Sequence, residues 1–235
     1  MANSPTPTID IGRCFRFVPE DPDWIPKILI GGGFALLSAF LIGIPFVAGY
    51  WVRTLRRVAA GDPRPLPAWD DLGGIFGDGI KPALVGLVYG FAVVAVIASV
   101  GCLVGSLFWG ASSLDRHSRG AGDALATLGG LGAFGIYAFV MFAALVANLF
   151  LPAVLVRVGL KGDFAAGFEI GAIVGFIRDN LLNYVLSLLF YFLASFASQF
   201  GFVLCCVGVF PLAFWAYLIL AYALGETVRL NPGSA

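Results

Sequence analysis

Charge is scarce in this chain, and the residues from which catalytic sites are built are scarcer. Only 12% of its 235 residues are Asp, Glu, Lys or Arg, against about 25% in a soluble domain. Hydrophobic residues make up 60% and the mean hydropathy is +0.93, which excludes a soluble globule and a disordered chain alike. Histidine occurs once and cysteine four times, with no CxxC pair. Zinc, haem and disulfide-scaffold readings therefore lack their ligands. Cys14, Cys102, Cys205 and Cys206 lie in or beside apolar stretches and read as small hydrophobes. Basic and acidic residues balance at 14 each, so no long-range field favours nucleic acid. The remaining class is a polytopic membrane protein.

What the chain does have is long runs without charge. A Lys, Arg or Asp at mid-bilayer costs about 2.5–3.5 kcal/mol, so such runs mark spans. They cover residues 28–52, 82–114, 124–156 and 180–225. A spanning helix needs about 20 residues. The last run is long enough for two, with a break expected where Gln199, Phe200 and Gly201 bring a polar side chain and a helix-weakening glycine together. The sequence thus predicts five spans, near 28–52, 82–110, 128–156, 180–200 and 204–225, in one membrane domain over 28–229. An N-terminal tail and interfacial segment (1–27) and a C-terminal tail (230–235) flank it.

With five spans, nine basic residues fall on one side and Arg13, Arg16, Lys27, Arg116 and Arg119 on the other. The positive-inside bias puts the nine in the cytoplasm, hence an N-terminus outside and a C-terminus inside a cytoplasmic membrane. No cleavable leader is expected, because 28–52 is long enough to stay as an anchor. Residues 1–8 read as a short tail. Ile9, Ile11, Phe15 and Phe17 alternate with polar or small residues, which fits an amphipathic surface segment.

Two stretches on the basic side read as amphipathic elbows in the interface. Leu72, Ile75, Phe76 and Ile80 share one helical face, and Phe164, Phe168, Ala172 and Phe176 share another. Each follows a proline-bearing span with a basic exit and leads into a new span, so a parallel internal repeat is expected.

The run Gly49-Tyr50-Trp51-Val52-Arg53, then Leu55-Arg56-Arg57-Val58-Ala59-Ala60-Gly61-Asp62, Leu66-Pro67-Ala68-Trp69-Asp70-Asp71 and Phe76-Gly77-Asp78-Gly79-Ile80-Lys81 resembles the signature of a prokaryotic membrane family, domain of unknown function 4013. Leu224-Gly225-Glu226 resembles a later landmark of that family, although Gln is expected where this chain has Glu226. The resemblance extends from about Ile9 to Arg229. It implies a polytopic prokaryotic membrane protein and supplies no activity.

Physically, Pro63, Pro65 and Pro67 stiffen a polyproline-like linker, and Trp69 suits headgroup depth. Asp70 or Asp71 can cap the first elbow. Gly77 and Gly79 allow close backbone approach, and Pro82 suits a first helical turn. Arg53, Arg56, Arg57, Arg64, Trp69, Asp70, Asp71 and Lys81 thus form a candidate surface for interfacial lipid or a cytoplasmic partner. At membrane depth the strongest polar groups are Asn148, Asn183 and Gln199, expected to hydrogen-bond between helices. Gly31-Gly32-Gly33, Gly86/Gly90, Gly101/Gly105 and the glycines from 129 to 135 offer small faces for close packing. The outer connection carries Ser112, Ser113, Asp115 and His117, which lack the rigid orienter and oxyanion hole of a hydrolase. No catalytic group, metal site or cofactor is expected. The expected role is a non-enzymatic scaffold or accessory subunit bound to the lipid bilayer and to other membrane proteins or a second copy. The alternative is a small permeation unit with a polar path between repeats.

Overall fold

The computed structural model describes residues 8–115, 122–203 and 208–234. Among these it contains eight α-helices and no strand. Four helical stretches are long and apolar enough to cross a membrane: Leu72–Leu103, Phe134–Lys161, Leu181–Gly201 and Val209–Leu230. A shorter apolar stretch covers Trp24–Phe40. The chain is an all-α, multi-pass membrane protein. It divides into two compact units, Met1–Val85 with Pro152–Ala235, and Gly86–Leu151.

The first unit holds α1 (Ile11–Arg16), α2 (Trp24–Leu37), α3 (Ile44–Ala59), the start of α4 (Leu72–Asp115) and the end of α5 (Gly122–Lys161). It also holds α6 (Ile170–Asp179), α7 (Leu181–Ser198) and α8 (Val209–Leu230). Helix α8 is its hub and packs on α2, α3 and α7. Gly31 and Gly32 let α2 come close, since a Cβ on either would run into Phe214 or Pro211 of α8. Gly225 does the same for α3, whose Val58 and Leu55 carbonyl lie against it.

Helix α1 covers the C-terminal part of α8. Asp10 caps it by accepting from the Arg13 N–H at 3.2 Å. A helical turn puts Cys14, Phe17 and Val18 on one face, and all three are buried, with Phe17 stacked on Tyr222 at 4.5 Å. The expected surface segment is therefore part of the core.

The expected first span, 28–52, is not one helix. Helix α2 tightens into a 3₁₀ turn at Ser38–Phe40, Leu41 takes a left-handed φ of 66°, and α3 begins at Ile44. Gly43 is packed so closely that a Cβ there would strike the Phe34 carbonyl oxygen. The first elbow is likewise not separate. Its residues are the opening turns of α4, and Pro82 lies inside that helix. The second elbow is divided: Phe164 precedes and Phe168 ends a 3₁₀ turn over Ala165–Phe168, and Ala172 and Phe176 belong to a separate helix, α6, which buries Ile173 and Phe176. The two expected repeats thus share a left-handed glycine after the basic exit, Gly61 (φ 78°) and Gly162 (φ 65°), but differ at the elbow. The break near Gln199 is present as a 3₁₀ turn, Gln199–Val203.

The second unit consists of α4 from Gly86 onward and of α5 as far as Leu151, and its described side chains are largely exposed. Phe91 is 76%, Phe134 71% and Phe142 64% exposed. The small faces expected at Gly86/Gly90 and Gly101/Gly105 are uncovered, with nothing within 4 Å of an added Cβ. Arg116, His117 and Arg119 lie outside the described residues, as do Cys205 and Cys206. Of Ser112, Ser113 and Asp115 only the helical backbone is described.

Candidate functional site

The signature residues converge at the end of the first unit where α3 and α5 finish and α4 starts. They begin with a backbone crossing. A Cβ on Gly49 of α3 would strike the Ile75 carbonyl oxygen, and one on Gly79 of α4 would strike the Pro45 oxygen and the Gly49 amide nitrogen. The two helices touch main chain to main chain, which only glycine permits.

Across this crossing runs the proline linker. Proline has no N–H, so the linker presents mainly acceptors, and these are met by side-chain donors. The Leu66 carbonyl accepts from Lys27 Nζ and from Arg57 Nη1, each at 3.3 Å. The Pro67 carbonyl accepts from the Tyr50 hydroxyl at 2.9 Å. Trp69 then inserts between Phe34 and Tyr50, with ring centroids at 5.1 and 4.4 Å, and its Nε1–H donates to the Lys27 carbonyl at 3.0 Å. Its ring is taken up inside this stack instead of lying free at headgroup depth. Phe46 extends the stack on the far side of Phe34 at 4.5 Å.

Around the strap lies a charge clamp. Arg53 Nε meets Asp78 Oδ2 at 2.6 Å and its Nη2 meets Asp71 Oδ2 at 2.9 Å. Arg56 Nη1 meets the other oxygen of Asp78 at 2.9 Å, while its Nε donates to the Gly159 carbonyl at 2.7 Å. Lys81 Nζ donates to the Gly162 carbonyl at 2.6 Å. These cations satisfy carbonyls that the end of α5 leaves open and complement its negative pole. Glu169 closes the opposite side by accepting from Arg157 at 2.7 Å and Lys161 at 2.8 Å. Asp71 caps α4 by accepting from the Gly74 N–H at 2.9 Å. That bond, then Arg53, holds its carboxyl below the usual aspartate range. Lys161, then Arg157, lowers Glu169 in the same way. Arg64 and Asp70 are exposed and take no part in these pairs. Burial, then Glu226 and Asp10, pushes the Cys14 thiol up to about 12, which keeps it protonated and packed in the core.

The intramembrane polar candidates are not one group. Asn148 belongs to the second unit, is exposed, and donates to the Ala144 carbonyl of its own helix at 2.9 Å. Asn183 belongs to the first and accepts from the Ile9 N–H at 3.4 Å. It lines a cavity of about 420 Å³ with Arg178, Asn180 and Asn231. Gln199 is exposed at the 3₁₀ turn.

A family model described as "Protein of unknown function (DUF4013)" matches residues 33–207, most of the chain and nearly all of this clamp. The chain belongs to that family. No curated protein and no solved structure matches it. Within the family signature, Gly49 and Gly79 form the crossing, Tyr50 and Trp69 form the stack, and Arg53, Arg56, Asp71, Asp78 and Lys81 form the clamp. At the departure from it, Glu226 is buried and paired with Arg229. Sequence reasoning missed Lys27, Asp21, Arg157 and Glu169 as members. Charge counting places Lys27 apart from the signature cations, whereas its Nζ, paired with Asp21 at 2.7 Å, reaches the Leu66 carbonyl among them. The overlooked signal was the acceptor-rich proline linker, which calls for nearby donors.

Proposed function

We propose that the protein is a non-enzymatic scaffold or accessory subunit of a prokaryotic cytoplasmic membrane, with its C-terminal segment inside. It binds lipid and other membrane proteins through the exposed apolar faces of α4 and α5. The observation that carries this is the use of the signature charges. Arg53, Arg56, Lys81, Asp71 and Asp78 are all engaged in pairs within the chain, as a rigid base requires. Meanwhile only 11% of the most apolar window of Leu72–Leu103 is buried. A membrane helix so little covered by its own chain has lipid or another helix as its neighbour.

The test is mild-detergent recovery from native membranes after gentle crosslinking. A defined partner at fixed stoichiometry is expected, and recovery as a lone monomer counts against the role. Asn183 at the polar cavity favours the permeation alternative. Asn183→Leu is expected to leave liposome fluxes unchanged; a folded variant with lost flux would promote that alternative instead.

A further inference from the structure

We propose that the segment from Trp24 to Ala59 is a re-entrant hairpin that enters the lipid from the clamp side and returns to it. Its Phe40-Leu41-Ile42 tip lies among the acyl chains, and residues 8–27 share a side with Asp62 and Arg229. This replaces the expectation of an N-terminal segment on the opposite face.

The two ends of the hairpin meet. Lys27, near the start of α2, and Arg57, near the end of α3, both donate to the Leu66 carbonyl at 3.3 Å. A segment that crossed the bilayer once would hold these two cations at least a hydrocarbon core apart, about 30 Å. The turn between the arms is sharp and closed by stacked rings, with Phe34 and Phe46 at 4.5 Å. From Lys27 to Leu41 a helical rise gives about 21 Å, short of a full crossing.

The tip is fit for hydrocarbon. Phe40, Leu41 and Ile42 are 72%, 61% and 64% exposed, and residues 28–52 carry no charge. Irregular backbone in lipid must satisfy its own polar groups. Here the Leu41 N–H donates to the Ser38 carbonyl at 3.0 Å and the Gly43 N–H to the Leu37 carbonyl at 3.3 Å. The Phe46 and Val47 amides both reach the Gly43 carbonyl, and the Ser38 hydroxyl turns back to the Phe34 carbonyl. Pro45 has no N–H to satisfy.

Charge supports the same arrangement. With four crossings and one hairpin, Arg13, Arg16 and Lys27 join the nine basic residues of the clamp side. That side then holds twelve of the fourteen Lys and Arg, a far stronger positive-inside bias than nine to five.

The test uses single cysteines in a background with Cys102, Cys205 and Cys206 replaced by Ser and the fully buried Cys14 retained. Glu20→Cys and Arg64→Cys lie at exposed positions, and Arg119→Cys serves as the third. With a membrane-impermeant maleimide on intact spheroplasts and inverted vesicles, positions 20 and 64 are expected to label from one face and 119 from the other. Labelling of 20 and 64 from opposite faces overturns the hairpin, and labelling of all three from one face overturns the four crossings on which its twelve-to-two charge distribution rests. Gly12→Cys and Asp62→Cys replace either member that fails to fold. A spin label at Ile42→Cys in liposomes is expected to respond to oxygen and not to a water-soluble nickel chelate. Response to the chelate would place the tip in water and remove the lipid contact.

Discussion

A methyl group added to Gly49 or Gly79 strikes backbone, whereas one added to Gly86, Gly90, Gly101 or Gly105 meets nothing within 4 Å. The same residue type serves opposite ends in the two units. In the first, glycine brings main chains into contact and the core closes around α8, where 61% of the most apolar window is buried. In the second, most of the described apolar side chains face outward, and Gly86, Gly90, Gly101, Gly105 and Gly135 stand open. The difference separates residues that specify this chain's own fold from residues whose neighbours lie outside the chain. In a membrane, sequence apolarity alone does not draw that line, because lipid-facing and core-facing positions are equally hydrophobic.

The sharpest way to break the comparison is to exchange glycine for alanine on both sides of it. Gly49→Ala and Gly79→Ala push a methyl into carbonyl oxygen, an overpacking that costs about 3 kcal/mol or more. Little monodisperse protein should survive detergent extraction. Gly90→Ala and Gly101→Ala should be neutral, or stabilising by up to about 1 kcal/mol through helix propensity. Equal losses at both kinds of site, read from thermal melts in detergent, would erase the distinction.

Next in size is the aromatic stack. Trp69→Ala removes the ring between Phe34 and Tyr50 and frees the strap, with an expected loss of about 3–5 kcal/mol. Trp69→Phe keeps the stacking and loses only the bond to the Lys27 carbonyl, about 1 kcal/mol. Phe91→Ala in the second unit, at an exposed ring of comparable size, should leave the melt unchanged. Asp78→Asn follows, at about 1.5–3 kcal/mol, because one carboxylate serves both Arg53 and Arg56. Asp70→Asn, at an exposed neighbour of the clamp, provides the matched control. An Asp78→Asn melt no different from the Asp70→Asn melt would reduce the clamp to a surface feature.

How far these features were legible in the sequence follows from what each one rests on. Charge-free length marks helices in lipid, so the four long spans and the 3₁₀ break near Gln199 were readable directly. The hairpin was not. Residues 28–52 have the length and apolarity of a span, and its turn depends on Leu41 accepting a left-handed φ and on Gly43 packing against the Phe34 carbonyl, which are tertiary facts. The first elbow was misjudged for a related reason. Pro82 suggests a helix start, yet α4 runs through it, and Gly79 one turn earlier is already locked against α3. At the candidate site the signature residues were found, but as an open surface. Arg53 and Asp78 are 25 positions apart and Arg56 meets Gly159 across 103, and pattern reading does not supply contacts at such separations. What could have been inferred is the strap, since a proline-rich linker with few donors must draw lysine, arginine or tyrosine to its carbonyls.

Glu169 gives the smallest and most specific test, because it asks whether the comparison extends to pH. Its carboxyl is lowered by Lys161 and then Arg157, so the folded state binds its proton less readily than the unfolded chain does. The contribution is therefore complete above the ordinary glutamate value of about 4.3 and is lost as pH falls through the lower folded value. Glu169→Gln should melt earlier than the parent protein at neutral pH, and the gap should close on acidification below about pH 4. Asp71, lowered by the Gly74 amide and Arg53, should act in the same direction when replaced by Asn. Because each variant is compared with the parent protein at the same pH, the carboxylates elsewhere in the chain cancel and the gap reports the replaced clamp carboxyl alone. A gap that persists unchanged to pH 3 would mean that Glu169 acts by packing and not by charge, and the second arm of the clamp would have to be redrawn without it.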